Sequence, residues 1–173
     1  MMRTLIAALG LSGAALLATP AVALESDANQ PINIAADRLN LDDRAGTAVY
    51  TGDVAMQQGS MKLTAQRVEI KRNDQGEVTQ VTAIGDAERA YLEQRPAPDD
   101  PLVKGWGDTI IYYAGERRVE LVGQAELRQT RDTFSGAYVE YFLDNRQVQA
   151  RSQAQGAENE RVRMSLTPKS AEQ

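Results

Sequence analysis

The chain has 173 residues, a length within the range of one domain, and a formal net charge of −5. This acidic balance argues against a surface that binds nucleic acid or another polyanion. Histidine and cysteine are both absent, which excludes Ser-His-Asp and Cys-His catalysis, the usual zinc ligands and disulfide bonds.

The first 23 residues have the three parts of a secretory signal peptide. Arg3 supplies the positive start, residues 5–17 form an apolar run broken only by Gly and Ser, and Ala21-Val22-Ala23 is a small-x-small cleavage site. The run is shorter than the roughly 20 residues that a membrane span needs. We therefore predict a signal peptide over residues 1–23, cut after Ala23, and no cysteine follows to carry a lipid anchor.

Beyond residue 30, apolar and polar residues alternate in short runs, as in strands with one buried face. Turn-forming residues separate the runs, for example at residues 43–46, 73–76 and 144–146. The runs are Ile32/Ile34, Leu39/Leu41, Met61/Leu63/Ala65, Val68/Ile70, Ile110/Tyr112, Val148/Ala150 and Val162/Met164/Leu166. Short strands joined by tight turns predict an all-β fold, an antiparallel meander that closes into a sandwich or jelly roll.

An internal repeat relates the two halves of the chain. Gly52 and Gly123 lie 71 residues apart, and the same offset superposes Asp37 on Asp108. It also superposes apolar positions 48, 50, 54, 56 and 63 on apolar positions 119, 121, 125, 127 and 134. Each repeat glycine lies inside an alternating run, which indicates a bend in a long strand. The pattern predicts stacked hairpin units that bury their apolar faces against one another.

Two segments break the strand rhythm. Residues 95–101 are rich in proline and separate the two repeats. Residues 167–173 form a polar tail that we expect to fray. A single domain is therefore predicted over residues 24–166.

The composition leaves three functional interpretations open. Aromatic residues are scarce, with one Trp, two Phe and six Tyr, so the rings on which sugars stack are few. An aliphatic interior suits acyl chains, although the same residues also pack on one another in an ordinary core. The candidates are a lipid carrier, a secreted carbohydrate-binding or carboxylate-dependent carbohydrate-cleaving jelly roll, and a structural repeat without a ligand. Exposed aromatics and paired carboxylates favour the second, and a tightly filled interior favours the third.

Several motifs in order along the chain resemble one family. They are residues 29–37 (NQPINIAAD), Tyr50-Thr51-Gly52-Asp53-Val54, Gln58-Gly59, Leu63 with Ala65, Gly85 with Ala87, Val122-Gly123-Gln124-Ala125, Gly136 and Arg161-Val162. Each motif is weak alone, but the ordered set covers nearly the whole chain after the signal peptide. The set resembles the LptA family, the OstA-like periplasmic lipopolysaccharide transport proteins.

This resemblance implies an open, twisted antiparallel β-jelly roll with a hydrophobic groove along its axis. It implies a periplasmic protein that carries lipopolysaccharide from the inner to the outer membrane, with the lipid A acyl chains in the groove. It further implies end-to-end stacking through edge strands, with other copies and with the OstA-like domains of the inner-membrane and outer-membrane transport components. No catalytic residue, metal or cofactor is expected.

The in-phase face of the two repeats predicts which side chains line the groove. The predicted lipid-binding residues are Ile32, Ile34, Leu39, Tyr50, Val54, Met56, Leu63, Leu121, Leu127 and Phe134. In the strand after Gly85, relatives carry an aromatic lining residue, and this chain offers Ala90 beside Tyr91. The sequence alone leaves open which of these two side chains faces the groove.

Overall fold

The computed structural model describes residues 27–167. The predicted signal peptide with its cleavage site after Ala23 lies outside the described residues, as does the predicted tail beyond residue 167. The described chain contains one 3₁₀ turn, Asp27–Asn29, and twelve strands. They are β1 (Asn33–Ala35), β2 (Arg38–Asp42), β3 (Thr47–Gln58), β4 (Met61–Arg72), β5 (Val78–Ile84), β6 (Ala90–Gln94), β7 (Val103–Gly107), β8 (Thr109–Tyr113), β9 (Arg118–Gln129), β10 (Asp132–Phe142), β11 (Gln147–Arg151) and β12 (Arg163–Ser165). Over these residues, no helix has the length and apolar character that a membrane crossing requires.

The strands form two facing layers that share four long strands. One layer has the order β2-β3-β4-β5-β8-β9-β10-β11. The other has the order β1-β3-β4-β6-β7-β9-β10-β12. Strands β3, β4, β9 and β10 contribute one half to each layer, and neighbouring strands pair antiparallel throughout. The all-β class predicted from the alternation is thereby confirmed.

Six strands close into a ring of hydrogen-bonded pairs, β4-β5-β8-β9-β7-β6. The ring closes because β4 and β9 each pair with a different strand along each half of their length. The sequence predicted an open jelly roll, whereas the middle of the structure is a closed barrel with extra strands on both sides. The open edges therefore lie at the two ends, in β1 and β2 and in β11 and β12.

The 71-residue repeat of the sequence is also a repeat of strands. Adding 71 to the bounds of β2 and β3 gives the bounds of β8 and β9, and β4 and β10 begin at equivalent residues. The first six strands and the last six are thus two copies of one unit. Strand pairs β5–β8 and β6–β7 join the two copies in the middle of the chain.

Each repeat glycine lies at the bend where a long strand passes from one layer to the other. Gly52 has a φ of 85° and Gly123 a φ of 73°, values in the left-handed region that glycine tolerates. The carbonyl of Gly52 accepts from the Asp37 amide at 3.0 Å, and that of Gly123 accepts from the Asp108 amide at 2.8 Å. A Cβ at either glycine would overlap the side chain of its aspartate. The coincidence of Asp37 with Asp108 in the repeat therefore reflects a shared corner.

Candidate functional site

Three rows of inward-facing positions run across the strands from one end of the molecule to the other. Antiparallel partners point to the same side of a sheet, so the strand register defines each row. The first row is Leu39, Tyr50, Val68, Ala83, Ile110, Leu121, Val139 and Ala150. The second is Leu41, Ala48, Ile70, Val81, Tyr112, Val119, Tyr141 and Val148. The third, in the other layer, is Ile34, Met56, Leu63, Leu92, Gly105, Leu127, Phe134 and Met164.

The structure places the ten predicted groove residues along this interior with different degrees of burial. Five are almost fully buried, namely Val54, Met56, Leu63, Leu121 and Leu127. Four are partly buried and pack against the core, namely Ile32, Ile34, Tyr50 and Phe134. Leu39 is 55% exposed, because it lies on edge strand β2, although it shares a row with Tyr50.

The interior has further members beyond the predicted residues. Val68, Ala83, Ile110 and Val139 are fully buried in the first row. These residues lie in alternating runs of the same kind, so the signal that marks the ten predicted positions marks them as well. Residues that lie opposite one another on neighbouring strands belong to the same row. The sequence alone does not identify which strands are neighbours.

The alternatives Ala90 and Tyr91 point to opposite faces of β6. Ala90 has no exposed surface and belongs to the core. Tyr91 lies on the outer face, where its ring centroid is 5.1 Å from that of Trp106. Its hydroxyl donates to Glu93 at 2.6 Å, and Glu93 also pairs with Lys62 at 2.9 Å. These two contacts lower the pKa of the Glu93 carboxyl.

Both ends of the molecule leave apolar side chains in contact with solvent. Six large apolar side chains are exposed among residues 27–167, and five of them lie at the two ends. One end carries Leu39 and Leu41, each 55% exposed, and the other carries Val162, Met164 and Leu166. Since these side chains continue the inward rows, the apolar interior is accessible at each end.

The side of the sandwich opposite the bends is covered by the proline-rich loop at residues 95–102. Asp100 in this loop pairs with Arg146 of the β10–β11 turn at 2.8 Å. Arg95 donates to the carbonyl of Asp100 at 2.5 Å, and the Ser60 hydroxyl accepts from the Arg95 amide at 3.0 Å. The loop therefore ties the two layers together across what we term the mouth, the gap between the turns of one layer and those of the other.

The interior is packed beneath this loop. A Cβ at Gly105 would lie 3.0 Å from Cδ2 of Leu121, so the two layers approach closely at this point. The void between them measures about 10 Å³, close to the smallest space that holds one water molecule. An acyl chain therefore enters only if the layers or their side chains move apart.

The polar groups of the outer faces form ion pairs. Glu120 and Glu140 lie opposite one another on β9 and β10, but Arg118 donates to both carboxylates. Arg128 likewise covers the ring of Trp106 at 5.0 Å. No group of His, Cys, Asp and Glu within the described range is arranged to hold a metal ion. Arginine side chains therefore contact both members of this carboxylate pair and one face of Trp106.

Comparison with known proteins agrees with this architecture. Residues 33–147 match the family model described as LptA/(LptD N-terminal domain) LPS transport protein. The chain belongs to this family. In sequence it is 41% identical over 160 residues to the lipopolysaccharide export system protein LptH of Pseudomonas aeruginosa, covering 90% of each chain. It is 30% identical over 131 residues to the lipopolysaccharide export system protein LptA of Escherichia coli K12, covering 76% of this chain and 70% of that protein.

A solved member of the LptA family has the same fold. The crystal structure of LptH, described as the LptA-homologous periplasmic component of the lipopolysaccharide transport device of Pseudomonas aeruginosa, superposes with a TM-score of 0.75. The two are 39% identical, and the match covers 83% of this chain and 99% of that chain. Family membership and fold are therefore supported by independent comparisons.

Proposed function

We propose that this protein is a periplasmic, non-enzymatic component of lipopolysaccharide transport that carries the acyl chains of the lipid between its two layers. The main observation behind this proposal is the set of three inward apolar rows, which run from the β1–β2 end to the β11–β12 end. Membership of the LptA family, whose relatives are named lipopolysaccharide export proteins, supports the same function.

An aliphatic channel binds an acyl chain without directional contacts. Removing one CH₂ group from water contributes about 0.8 kcal/mol wherever it lies along the rows. A chain therefore gains nearly the same free energy at successive positions, which permits sliding. Since the interior is packed, we propose that binding parts the layers at the mouth, where Arg146 and Asp100 form the ion pair between them.

We also propose that copies stack end to end, and the internal repeat supplies the geometry. Ala83 and Ala150 pair with equivalent residues of β4 and β10, so they are counterparts in the repeat. Leu92 and Met164 are counterparts for the same reason. In the middle of the chain, Ala83 pairs with Ile110 and Leu92 with Gly105. Strands β8 and β7 are the repeat counterparts of β2 and β1. A second copy placed by the same rule therefore adds its β2 to β11 and its β1 to β12.

The register of this junction follows from the same equivalence. Ala150 is placed opposite Leu39 of the next copy, and Met164 opposite Ile34 of the next copy. Val148 is placed opposite Leu41 of the next copy. The contact joins different surfaces, so it does not close on itself and produces a row of copies. It also covers the unpaired backbone groups of the edge strands and extends the inward rows across the junction.

Cysteine pairs test the register directly, because the chain contains no natural cysteine. We expect a Met164→Cys protein to crosslink to an Ile34→Cys protein under oxidation and to form a dimer of mixed composition. Met164→Cys mixed with Gln57→Cys is the matched control, because Gln57 lies on central strand β3 and points to the opposite face from Met56. Equal crosslinking in the two mixtures would contradict the proposed junction.

Photo-crosslinking in cells tests the lipid site. A photoreactive amino acid at Tyr50 or Phe134, both inward-facing and partly buried, should crosslink to lipopolysaccharide. The same amino acid at Gln57 or Arg128, on the outer faces, should not. Inward and outward positions with the same yield would mean that the interior is only a structural core.

A further inference from the structure

Two polar side chains of opposite layers line the small void beneath the mouth. Gln94 lies at the end of β6 and Tyr141 lies near the end of β10. The remaining wall is apolar, and its other members are Leu92, Pro96, Val103, Gly105, Val119, Leu127 and Leu143. The void thus lies between two polar side chains, and its free surface is almost entirely apolar.

Each of these two side chains has one buried polar atom without a hydrogen-bond partner among the described residues. Gln94 is 6% exposed and Tyr141 is 2% exposed. Within residues 27–167, neither the Gln94 Oε1 atom nor the Tyr141 hydroxyl has a partner. Buried polar atoms are nearly always paired, and leaving one unpaired is costly. These two atoms therefore require an explanation beyond packing.

The orientation of Gln94 is fixed by its amide nitrogen. Nε2 donates to Oδ2 of Asp27 at 3.2 Å, and a carboxylate accepts hydrogen bonds but does not donate them. Oε1 is consequently the atom left free to accept. Burial raises the pKa of the Tyr141 hydroxyl, which stays protonated and can donate as well as accept.

The repeat shows that the fold does not require polar groups at these positions. Strand pairing makes Ile70 the counterpart of Tyr141, because both pair with equivalent residues, Val81 and Val148. Ser165 is the counterpart of Glu93, so the residues that follow them, Leu166 and Gln94, are also counterparts. Each copy of the unit thus carries one of the two polar residues, and an apolar residue occupies the counterpart position in the other copy.

We propose that Gln94 and Tyr141 form a binding site for a hydroxyl group carried on an acyl chain. A hydroxyl donates to Gln94 Oε1 and accepts from the Tyr141 hydroxyl, so one group satisfies both orphaned atoms. An unsubstituted acyl chain has neither capacity. This site rests on the proposed function, because it lies within the acyl-binding interior.

Its place beneath the proline-rich loop gives the site a route of entry. Pro96 forms part of the void wall, and the Arg146–Asp100 ion pair spans the same mouth. A chain that enters when the layers part meets Gln94 and Tyr141 immediately inside. Apart from Tyr50 and Tyr112, the remainder of the inward rows supplies only apolar contacts. Gln94 and Tyr141 therefore add a fixed position to a channel that otherwise permits sliding.

The test compares two probes that differ by one hydroxyl. Binding of 3-hydroxytetradecanoic acid and of tetradecanoic acid to the mature chain is measured by displacement of a fluorescent fatty acid. Tyr141→Phe removes only the hydroxyl, and we expect about fivefold weaker binding of the hydroxy acid with no change for the plain acid. Tyr113→Phe is the matched control, because Tyr113 lies on the outer face of β8, where Arg118 lies over its ring at 4.1 Å, and it does not line the void.

The outcomes separate this site from the proposed function. If the unmodified protein binds neither acid nor lipopolysaccharide, the acyl-binding function itself is wrong. If it binds both acids, and Tyr141→Phe leaves both affinities unchanged or lowers both equally, the hydroxyl site is wrong and the function stands. A loss seen with the hydroxy acid and also with lipopolysaccharide would assign the site to the transported lipid. A loss confined to the free acid would assign it to a hydroxy fatty acid.

Discussion

The junction in the middle of the chain and the two ends of the molecule present the same strand pattern in different surroundings. At the junction, Ile110 on β8 has no exposed surface, because β5 covers one side of its strand and β9 the other. At the β2 end, its repeat counterpart Leu39 is 55% exposed, because β2 pairs on one side only. The pattern of a strand therefore defines which face is apolar, and a neighbouring copy of the unit determines whether that face is buried.

The strongest test of this comparison places the same charge at both counterparts. Ile110→Asp puts an unpaired carboxylate into the closed ring, and we expect it to cost about 4 kcal/mol or more of the free energy of unfolding. Leu39→Asp leaves its carboxylate in water, so we expect a loss within about 1 kcal/mol. Urea unfolding followed by circular dichroism measures both.

We expect Leu39→Asp to affect association between copies more than the stability of the single chain. Leu39→Asp should stay folded but lose concentration-dependent assembly in analytical ultracentrifugation, because Leu39 belongs to the proposed contact with Ala150 of another copy. A folded Leu39→Asp protein that still assembles would show that β2 is not the contact edge. A Leu39→Asp protein that unfolds would show that the end is part of the cooperative core.

The two corners allow a sharper version of the comparison. Gly52→Ala and Gly123→Ala each introduce a Cβ at positive φ against an aspartate side chain, and we expect losses of about 2 kcal/mol. The loss should be larger at Gly123, because β9 belongs to the closed ring whereas β3 pairs with the short edge strands β1 and β2. Gly115→Ala is the control, since its Cβ would meet nothing within 4 Å. Equal stability of all three variants would contradict the shared corner.

Two tyrosines on β10 allow the inner face of the strand to be compared with its outer face. The Tyr141 hydroxyl is buried without a partner among the described residues, so Tyr141→Phe should leave stability unchanged or raise it by about 1 kcal/mol. The Tyr138 hydroxyl interacts with Glu120 on the outer face, so Tyr138→Phe should lower stability by about 1 kcal/mol. Thermal unfolding of the two variants measures the difference. A destabilised Tyr141→Phe protein would mean that the hydroxyl has a structural role.

Much of the fold could be predicted from the sequence because its signals are local or periodic. Alternation gave the strands, and the 71-residue offset gave the two units and their corners at Gly52 and Gly123. The ring could not be predicted, because it depends on β4 and β9 each having a different partner along each half. Local alternation is the same whichever strand lies alongside.

The candidate site shows a similar division. Alternation identified inward residues such as Met56 and Leu127, since burial of one face is a property of the strand. It did not identify Gln94 or Tyr141, because a polar residue in an inward register reads as an interruption of the pattern. Only the approach of the two layers brings these side chains to one void, and that approach is not encoded in any local window.

The smallest effect we predict concerns the charge at the proposed junction. The derived register places Arg151 of one copy opposite Arg38 of the next, and like charges directly opposite on a sheet oppose pairing. Arg38→Glu turns this repulsion into attraction and should strengthen association by about 0.5 kcal/mol, roughly a twofold change in the dissociation constant. Arg44→Glu makes the same change of charge at an exposed turn outside the edge strand and should have less effect. Because the interaction is electrostatic, added salt should remove the gain. Sedimentation velocity at two salt concentrations measures this, and weaker association of Arg38→Glu would require a different register.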